Sequence, residues 1–286
     1  MKMIKPIVNF AKIADDYDTF IFGFNGVLSL GSSITPAAAQ CLKNLASLGK
    51  KIIIISNSSL RITEIVNQLI QSNIPLSIFS NIVSAGELLH YNLKYPSGNY
   101  SALGNSYYQI GAHEYSEIMS NLNLERSQSL ERAHFLFMAS AKSPDDTIES
   151  YRPYLEQAVN FGLPFVCAGN DTSCFDNQKL MIAPGAIAEA YAVLGGRVIT
   201  IGKPDINILK YALEGIQDTG RIVVVGDNIS TDIKMATLAN LNSILISKGR
   251  HVNYLGEGYI PDVAKTRELA NSFDVSPNSV ISEIRW

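Results

Sequence analysis

Charge is scarce in this 286-residue chain. Charged side chains make up 17% of it, against about 25% in ordinary soluble domains. The few present nearly cancel, with 23 Lys and Arg against 26 Asp and Glu and a net charge of −3. No basic excess is available for a duplex or an anionic bilayer, so neither nucleic acid nor membrane is an expected partner. Long apolar runs are also missing, and none approaches the ~18 residues that span a bilayer. Lys2, Lys5 and Lys12 interrupt the opening stretch, which speaks against a signal peptide. Cysteine is rare. Cys41, Cys167 and Cys174 form neither a disulfide framework nor a metal-ligand spacing, as expected for reduced thiols in a cytoplasmic protein. The four histidines (His90, His113, His134, His251) are scattered, with no Ser, Cys or Glu at a catalytic spacing, so packing or surface roles are expected. No Gly-x-Ser-x-Gly elbow supports a Ser-His-Asp hydrolase. Repeats and low-complexity segments are absent.

What the chain does have is alternation. Short apolar runs at 18–23, 51–55, 133–139, 164–168, 197–201, 221–225 and 243–247 have strand length, with a shorter one at 82–84. Helical patterns fall between them at 36–48, 60–72, 85–93, 145–161, 186–194, 204–215 and 231–239, and 262–272 is a further candidate. The first of these helices has Thr35 as N-cap, Pro36 at its first position and Gly49 at its end. Strands that are apolar throughout and alternate with helices predict a parallel sheet covered on both faces. Residues 94–108, rich in Tyr, Ser, Gly and Asn, read as a crossing into a second unit. The tail beyond Gly249 is less patterned.

Four strand ends carry polar clusters, and open α/β sheets place their ligands at the carboxyl ends of strands. The clusters are Gly23-Phe24-Asn25-Gly26-Val27, Ser56-Asn57-Ser58-Ser59, Gly202-Lys203-Pro204-Asp205, and Gly226-Asp227-Asn228 with Asp232 five residues after Asp227. Taken singly each has a plain structural reading: a turn, a helix cap, a solvated lysine, a second turn. Four in this order are far more specific.

In that order the sequence resembles the haloacid dehalogenase superfamily, in its class IIA branch of NagD-type and 4-nitrophenylphosphatase-like proteins. The family's first motif, Asp-x-Asp-Gly-Val/Thr, aligns with Gly23 to Val27; its Ser/Thr-Asn motif with Ser56-Asn57; its Gly-Lys-Pro with Gly202-Lys203-Pro204; its Gly-Asp-x-x-x-x-Asp with Gly226, Asp227 and Asp232. Cys167 to Asp171 resembles its Cys-Ala-Asn-Pro-Asp stretch, and the Pro184-Gly185-Ala186 helix start also fits. The resemblance implies a doubly wound parallel-sheet, Rossmann-like α/β core at 1–79 and 184–286, with an inserted smaller α/β cap domain at 80–183. It also implies phosphoryl transfer through an aspartyl-phosphate. The first Asp attacks phosphorus, and the second, on the same side of a strand by period-two spacing, serves as acid and base. Magnesium is held by carboxylates and a backbone carbonyl, while the Ser/Thr-Asn amides and the Lys hold phosphate oxygens.

The chain departs from the pattern where the chemistry is most demanding. Gly23 stands at the nucleophile position and Asn25 at the acid/base position. Asn25 is nearly isosteric with Asp but exchanges no proton near neutral pH. Asp18 is five residues upstream, roughly 16 Å away at the wrong strand end. The expectation is a phosphatase-like protein impaired in aspartyl-phosphate chemistry. Its phosphate contacts would be Ser56, Asn57 and Lys203, and its partner a phosphorylated small molecule or inorganic anion. Magnesium is expected to bind weakly or not at all, through the Asn25 carbonyl and Asp227 with Asp232 behind. Structural alternatives stay open: the 23–26 segment as a turn only, Asp227 ordering its loop, Asp232 capping the next helix, and Lys203 paired with Asp227. So do a hydrolase working through metal-activated water or Asp171, and a non-enzymatic scaffold or homodimer using the Tyr-rich cap (Tyr91, Tyr95, Tyr100, Tyr107, Tyr108, Tyr115).

Overall fold

Ile52–Ile55, Phe20–Phe22 and Val223–Val225 are buried throughout in a computed structural model that describes residues 3–31, 33–112, 114–176 and 179–286. Lys2, His113 and the Tyr115 side chain, named above, lie outside the described residues. The chain divides into two compact units. One comprises Met1–Ser56, Thr63–Val83 and Lys203–Trp286; the other Asn57–Ile62 and Ser84–Gly202.

The first unit is built on a seven-stranded sheet. Its strand order is Lys5–Pro6, Ser279–Ile281, Asn242–Ile246, Ile222–Gly226, Thr19–Phe22, Lys51–Ser56, Phe79–Ser84. The central pairings are parallel, with Phe22 opposite both Val225 and Ile54. Phe20, Phe22, Ile52, Ile54, Val223 and Val225 pack on Leu42 and Leu45 of the Pro36–Ser47 helix. The predicted cap of that helix is present, with Thr35 Oγ1 accepting the Ala38 amide at 3.2 Å. Leu245 and Val280 join a separate cluster with Ile229, Ile233 and Ala270. Helices on both faces explain why the central strands show no polar alternation. The parallel α/β core is as expected. The patternless tail, in contrast, supplies the Ser279–Ile281 strand, which pairs with Lys5–Pro6 and Asn242–Ile246.

The second unit has its own parallel sheet, in the order Val198–Ile201, Phe165–Ala168, Phe135–Met138, Ser106–Gln109, Glu125–Arg126. Two expectations are corrected here. Residues 106–108 are not part of a crossing segment: Ser106–Gln109 is an interior strand, with Tyr107 and Gln109 buried on one side. The boundary at 183/184 also fails. Val198–Ile201 pairs residue for residue with Phe165–Ala168, and Ile187, Ala188 and Tyr191 of the Pro184–Val193 helix fill the same core as Phe165. The cap therefore runs on to Gly202, and its first boundary lies at the end of the Phe79–Ser84 strand rather than at 79/80.

Candidate active site

Parallel strands in register deliver their carboxyl ends to one edge. In the first unit Thr19–Phe22 runs between Lys51–Ser56 and Ile222–Gly226, and the Gly23 amide still donates to Val225 O at 2.8 Å. Gly23, Ser56 and Asp227 therefore emerge side by side. The geometry depends on strand pairing alone and needs no conserved side chain.

The chain leaves the strand at Phe22. Phe24 O then accepts the amides of Val27, Leu28 and Ser29, and the Gly26 amide donates to Ser29 O at 2.9 Å. Residues 23–29 thus form a bonded turn, and period-two alternation does not carry past Phe22. Gly23 is buried and Asn25 exposed, and both lie beyond the strand's end at Phe22. The turn has a structural task. Gly26 adopts φ +76°, and a Cβ there would collide with the Asp227 carboxylate. At Gly23 a Cβ would stand 3.1 Å from Val27 Cγ2, 3.2 Å from Asp232 Oδ1 and 3.7 Å from Lys203 Nζ. A side chain nearly fits there, and its neighbours are the charged groups of the other motifs.

Lys203 is 5% exposed. Its ammonium donates to Ile55 O at 2.8 Å and to Asp232 Oδ1 at 2.7 Å. Asp232 is 3% exposed, and its second oxygen accepts the Asn228 amide at 3.2 Å. Lys203 is thus paired with Asp232, a partner that the structural alternative did not name. The reason is the wide turn Ile229–Ile233, which lays Asp232 across Gly226 so closely that a Cβ on that glycine would strike it. Asp232 does not cap the following helix. Asn228 caps the Ile229–Ile233 turn itself, its Oδ1 accepting the Ser230 amide at 3.0 Å and the Ser230 hydroxyl at 2.8 Å. Asp227, 8% exposed, accepts the Arg250 amide at 2.8 Å and so ties two loops together.

The family resemblance implies magnesium at this edge. Magnesium needs near-octahedral oxygen ligands, usually one or two carboxylates with phosphate and water. Here Asp232 is held by Lys203 and Asn228, and Asp227 is the one carboxylate of the motifs outside that pair. Among the described residues no group of three or more His, Cys, Asp or Glu is arranged to hold a metal ion. These residues by themselves do not fit a resident magnesium ion.

Ser56 closes its strand as a buried residue. Asn57 opens the second unit, its Oδ1 against the Gly202 backbone. Asp171 follows the Phe165–Ala168 strand, and its carbonyl accepts the Gly185 amide at 3.1 Å. Asp18 stays at the start of its strand in a two-pronged bond with Arg221, at 3.0 and 3.1 Å, which holds its carboxyl far below the usual range. It is no substitute nucleophile. Cys167 is a buried thiol, pushed up by desolvation. The tyrosines divide: Tyr107 packs between Phe135 and Phe137, while Tyr91 on the Ala85–Lys94 helix and Tyr95 just after its end are exposed.

One residue was missed. His251 Nε2 accepts the Ile229 amide at 3.1 Å, at the entry to the turn that carries Asp232. Burial, with the nearby Arg250 charge, lowers its pKa, which favours the neutral ring that this bond requires. A lone histidine 22 residues downstream carries no local signal of that role.

Residues 20–125 match the family model described as haloacid dehalogenase-like hydrolase, and residues 200–273 one described as HAD-hydrolase-like. The chain is 24% identical to the 4-nitrophenylphosphatase of Schizosaccharomyces pombe, over 94% of this chain and 99% of that one. A haloacid dehalogenase-like hydrolase from Brucella suis superposes with a TM-score of 0.80 at 23% identity, covering 97% and 99% of the two chains. Glycerol phosphate phosphatase from Mycobacterium tuberculosis, solved with magnesium, superposes at 0.63 with 20% identity, covering 87% of this chain and 71% of that one. No helix among the described residues is long and apolar enough to cross a membrane.

Proposed function

The chain belongs to the haloacid dehalogenase superfamily, in the class IIA branch, and from that premise we propose that it is a phosphatase-like protein that binds phosphorylated small molecules or inorganic phosphate without forming an aspartyl-phosphate. The observation that carries this reading is Gly23. It follows the Thr19–Phe22 strand at the position that aligns with the family's nucleophile, and its side chain supplies no oxygen to attack phosphorus.

The remaining parts favour holding an anion. Lys203 brings an ammonium to the carboxyl edge of the sheet, fixed by Ile55 O and Asp232. Ser56, with Asn57 next in the chain, ends the neighbouring strand. Two carboxylates fewer than in the family motif means less repulsion toward a phosphate dianion, and at a partly buried edge that difference is weakly screened. Asn25 is exposed and can orient a leaving oxygen through hydrogen bonds, but it supplies no proton.

The test is p-nitrophenyl phosphate hydrolysis with magnesium, wild type beside the Gly23→Asp/Asn25→Asp double variant. The reading expects wild type at the level of the buffer blank and turnover in the double variant. Wild-type turnover within the usual enzyme range of roughly 1–1,000 per second overturns it.

A further inference from the structure

The second unit has a strand order that itself points to a ligand. Ser106–Gln109 comes first in the chain but second in the sheet. The chain steps outward to Glu125–Arg126, then returns past it to Phe135–Met138 and continues inward. The direction of winding reverses between Ser106–Gln109 and Phe135–Met138. At such a reversal the loops from adjacent strand ends leave toward opposite faces, and a crevice opens at the carboxyl edge.

A cleft of about 350 Å³ lies at that edge, within the size range of small-molecule pockets. Its walls come from the segments that the reversal brings together: Tyr108 to Gly111 at the end of one strand, Arg126 to Gln128 at the end of the next, Lys142 and Asp146 after Phe135–Met138, and Ser150, Tyr151 and Tyr154 on the Ile148–Asn160 helix. None of these residues belongs to the four phosphatase motifs.

The floor is rigid. Asp146 Oδ2 accepts the amides of Lys142 and Ser143 at 2.9 and 3.0 Å and the Tyr151 hydroxyl as well. The Tyr151 oxygen accepts the Lys142 amide at 2.9 Å, and its ring is buried. The carboxylate among the cleft's described lining residues is thus bonded to its own loop. One wall is aromatic. Tyr108 and Tyr154 stack with centroids 6.3 Å apart at 30°, and Tyr154 is 43% exposed. The cations of the cleft, Arg126 and Lys142, are exposed. Among the described lining residues, two positive side chains stand against one internally bonded carboxylate. An aromatic wall beside a guanidinium suits a planar ring carrying a phosphate or carboxylate.

We propose that this cleft in the second unit is a binding site for an anionic aromatic small molecule, a ring bearing phosphate or carboxylate of about nucleotide size. Arg126 and Lys142 take the anion and the Tyr108–Tyr154 wall takes the ring. Its described lining residues all lie in the second unit, and none is among the residues proposed above to hold phosphate.

The experiment is equilibrium dialysis of the full chain with labelled 5′-AMP as probe. It is run on wild type, Arg126→Ala and Tyr154→Ala. Both substitutions fall on exposed side chains, and a circular dichroism melt checks that each variant folds as wild type does. The expected result is saturable binding that falls about tenfold in Arg126→Ala as a charge-assisted bond is lost, and falls by a smaller factor in Tyr154→Ala. Absence of binding overturns the proposal. So does binding equal in wild type and both variants, since that places the probe elsewhere.

Discussion

Two adjacent loops of the first unit treat their acidic positions in opposite ways. After Thr19–Phe22, where the family motif has two aspartates, there are Gly23 and Asn25. After Ile222–Gly226, both aspartates are present. The difference follows from what each side chain would do inside the protein. Asp227 accepts the Arg250 amide, and Asp232 accepts from Asn228 and Lys203, so either loss would strip buried donors of their partners. No internal bond of the first loop uses a side chain at 23 or 25. Its turn is held by Phe24 O and the Gly26 amide, which any residues at 23 and 25 leave in place. Carboxylates persist where they hold the structure and are absent where their work falls on a substrate.

That contrast predicts a ranking of stability effects. Asp232→Ala leaves Lys203 buried without its carboxylate and should cost about 3–5 kcal/mol; Gly226→Ala, which forces the turn off its strand, should cost about 3 kcal/mol. Gly23→Ala meets only Val27 and the charged pair at near-contact distance and should cost about 1 kcal/mol. Urea denaturation of the three variants measures all of these. Equal costs for Gly23→Ala and Asp232→Ala would break the contrast.

Phosphate binding should be smaller in scale and sensitive to metal. Calorimetric titration of inorganic phosphate should give weak binding in EDTA and tighter binding with magnesium, because Asp227 alone is a poor ligand set until phosphate adds its oxygens. Affinity that ignores both EDTA and the Lys203→Gln substitution would place the anion elsewhere.

The smallest effect is on pH dependence. The folded-state pKa of His251 lies below its unfolded value near 6.5. The unfolded chain then takes up a proton first as pH falls, so the stabilisation is present above about 6.5 and drains away as pH drops toward the folded pKa. Melting temperature should fall between pH 7 and pH 5 more steeply in wild type than in His251→Gln. Identical slopes would mean that the Ile229 bond does not depend on the neutral ring.

Much of this was legible in residue order. Apolar strands such as Ile52–Ile55 declare a buried parallel sheet because both faces need covering, and the four polar clusters fall at strand ends because the register puts them there. Ser106–Gln109 was hidden by its polar, tyrosine-rich composition, and Ser279–Ile281 by its length of three residues. The cap boundary was hidden because Val198–Ile201 looks like any other strand until its partner is known. At the site the residues were readable but one partnership was not. Lys203 meets Asp232 only because the turn after Asn228 is wider than an α-helical one and Gly226 lets it approach. His251 acts across 22 residues, beyond any local pattern.

The most direct measurement is intact-protein mass after incubation with p-nitrophenyl phosphate and magnesium, for wild type and for Gly23→Asp with Asn25 retained. Wild type should gain no mass. The variant, with a nucleophile restored and no base to release its product, should accumulate one hydroxylamine-labile phosphoryl group on residue 23. A covalent phosphoryl group on the wild-type chain, at Asp227, Asp171 or any other carboxylate, would contradict the account.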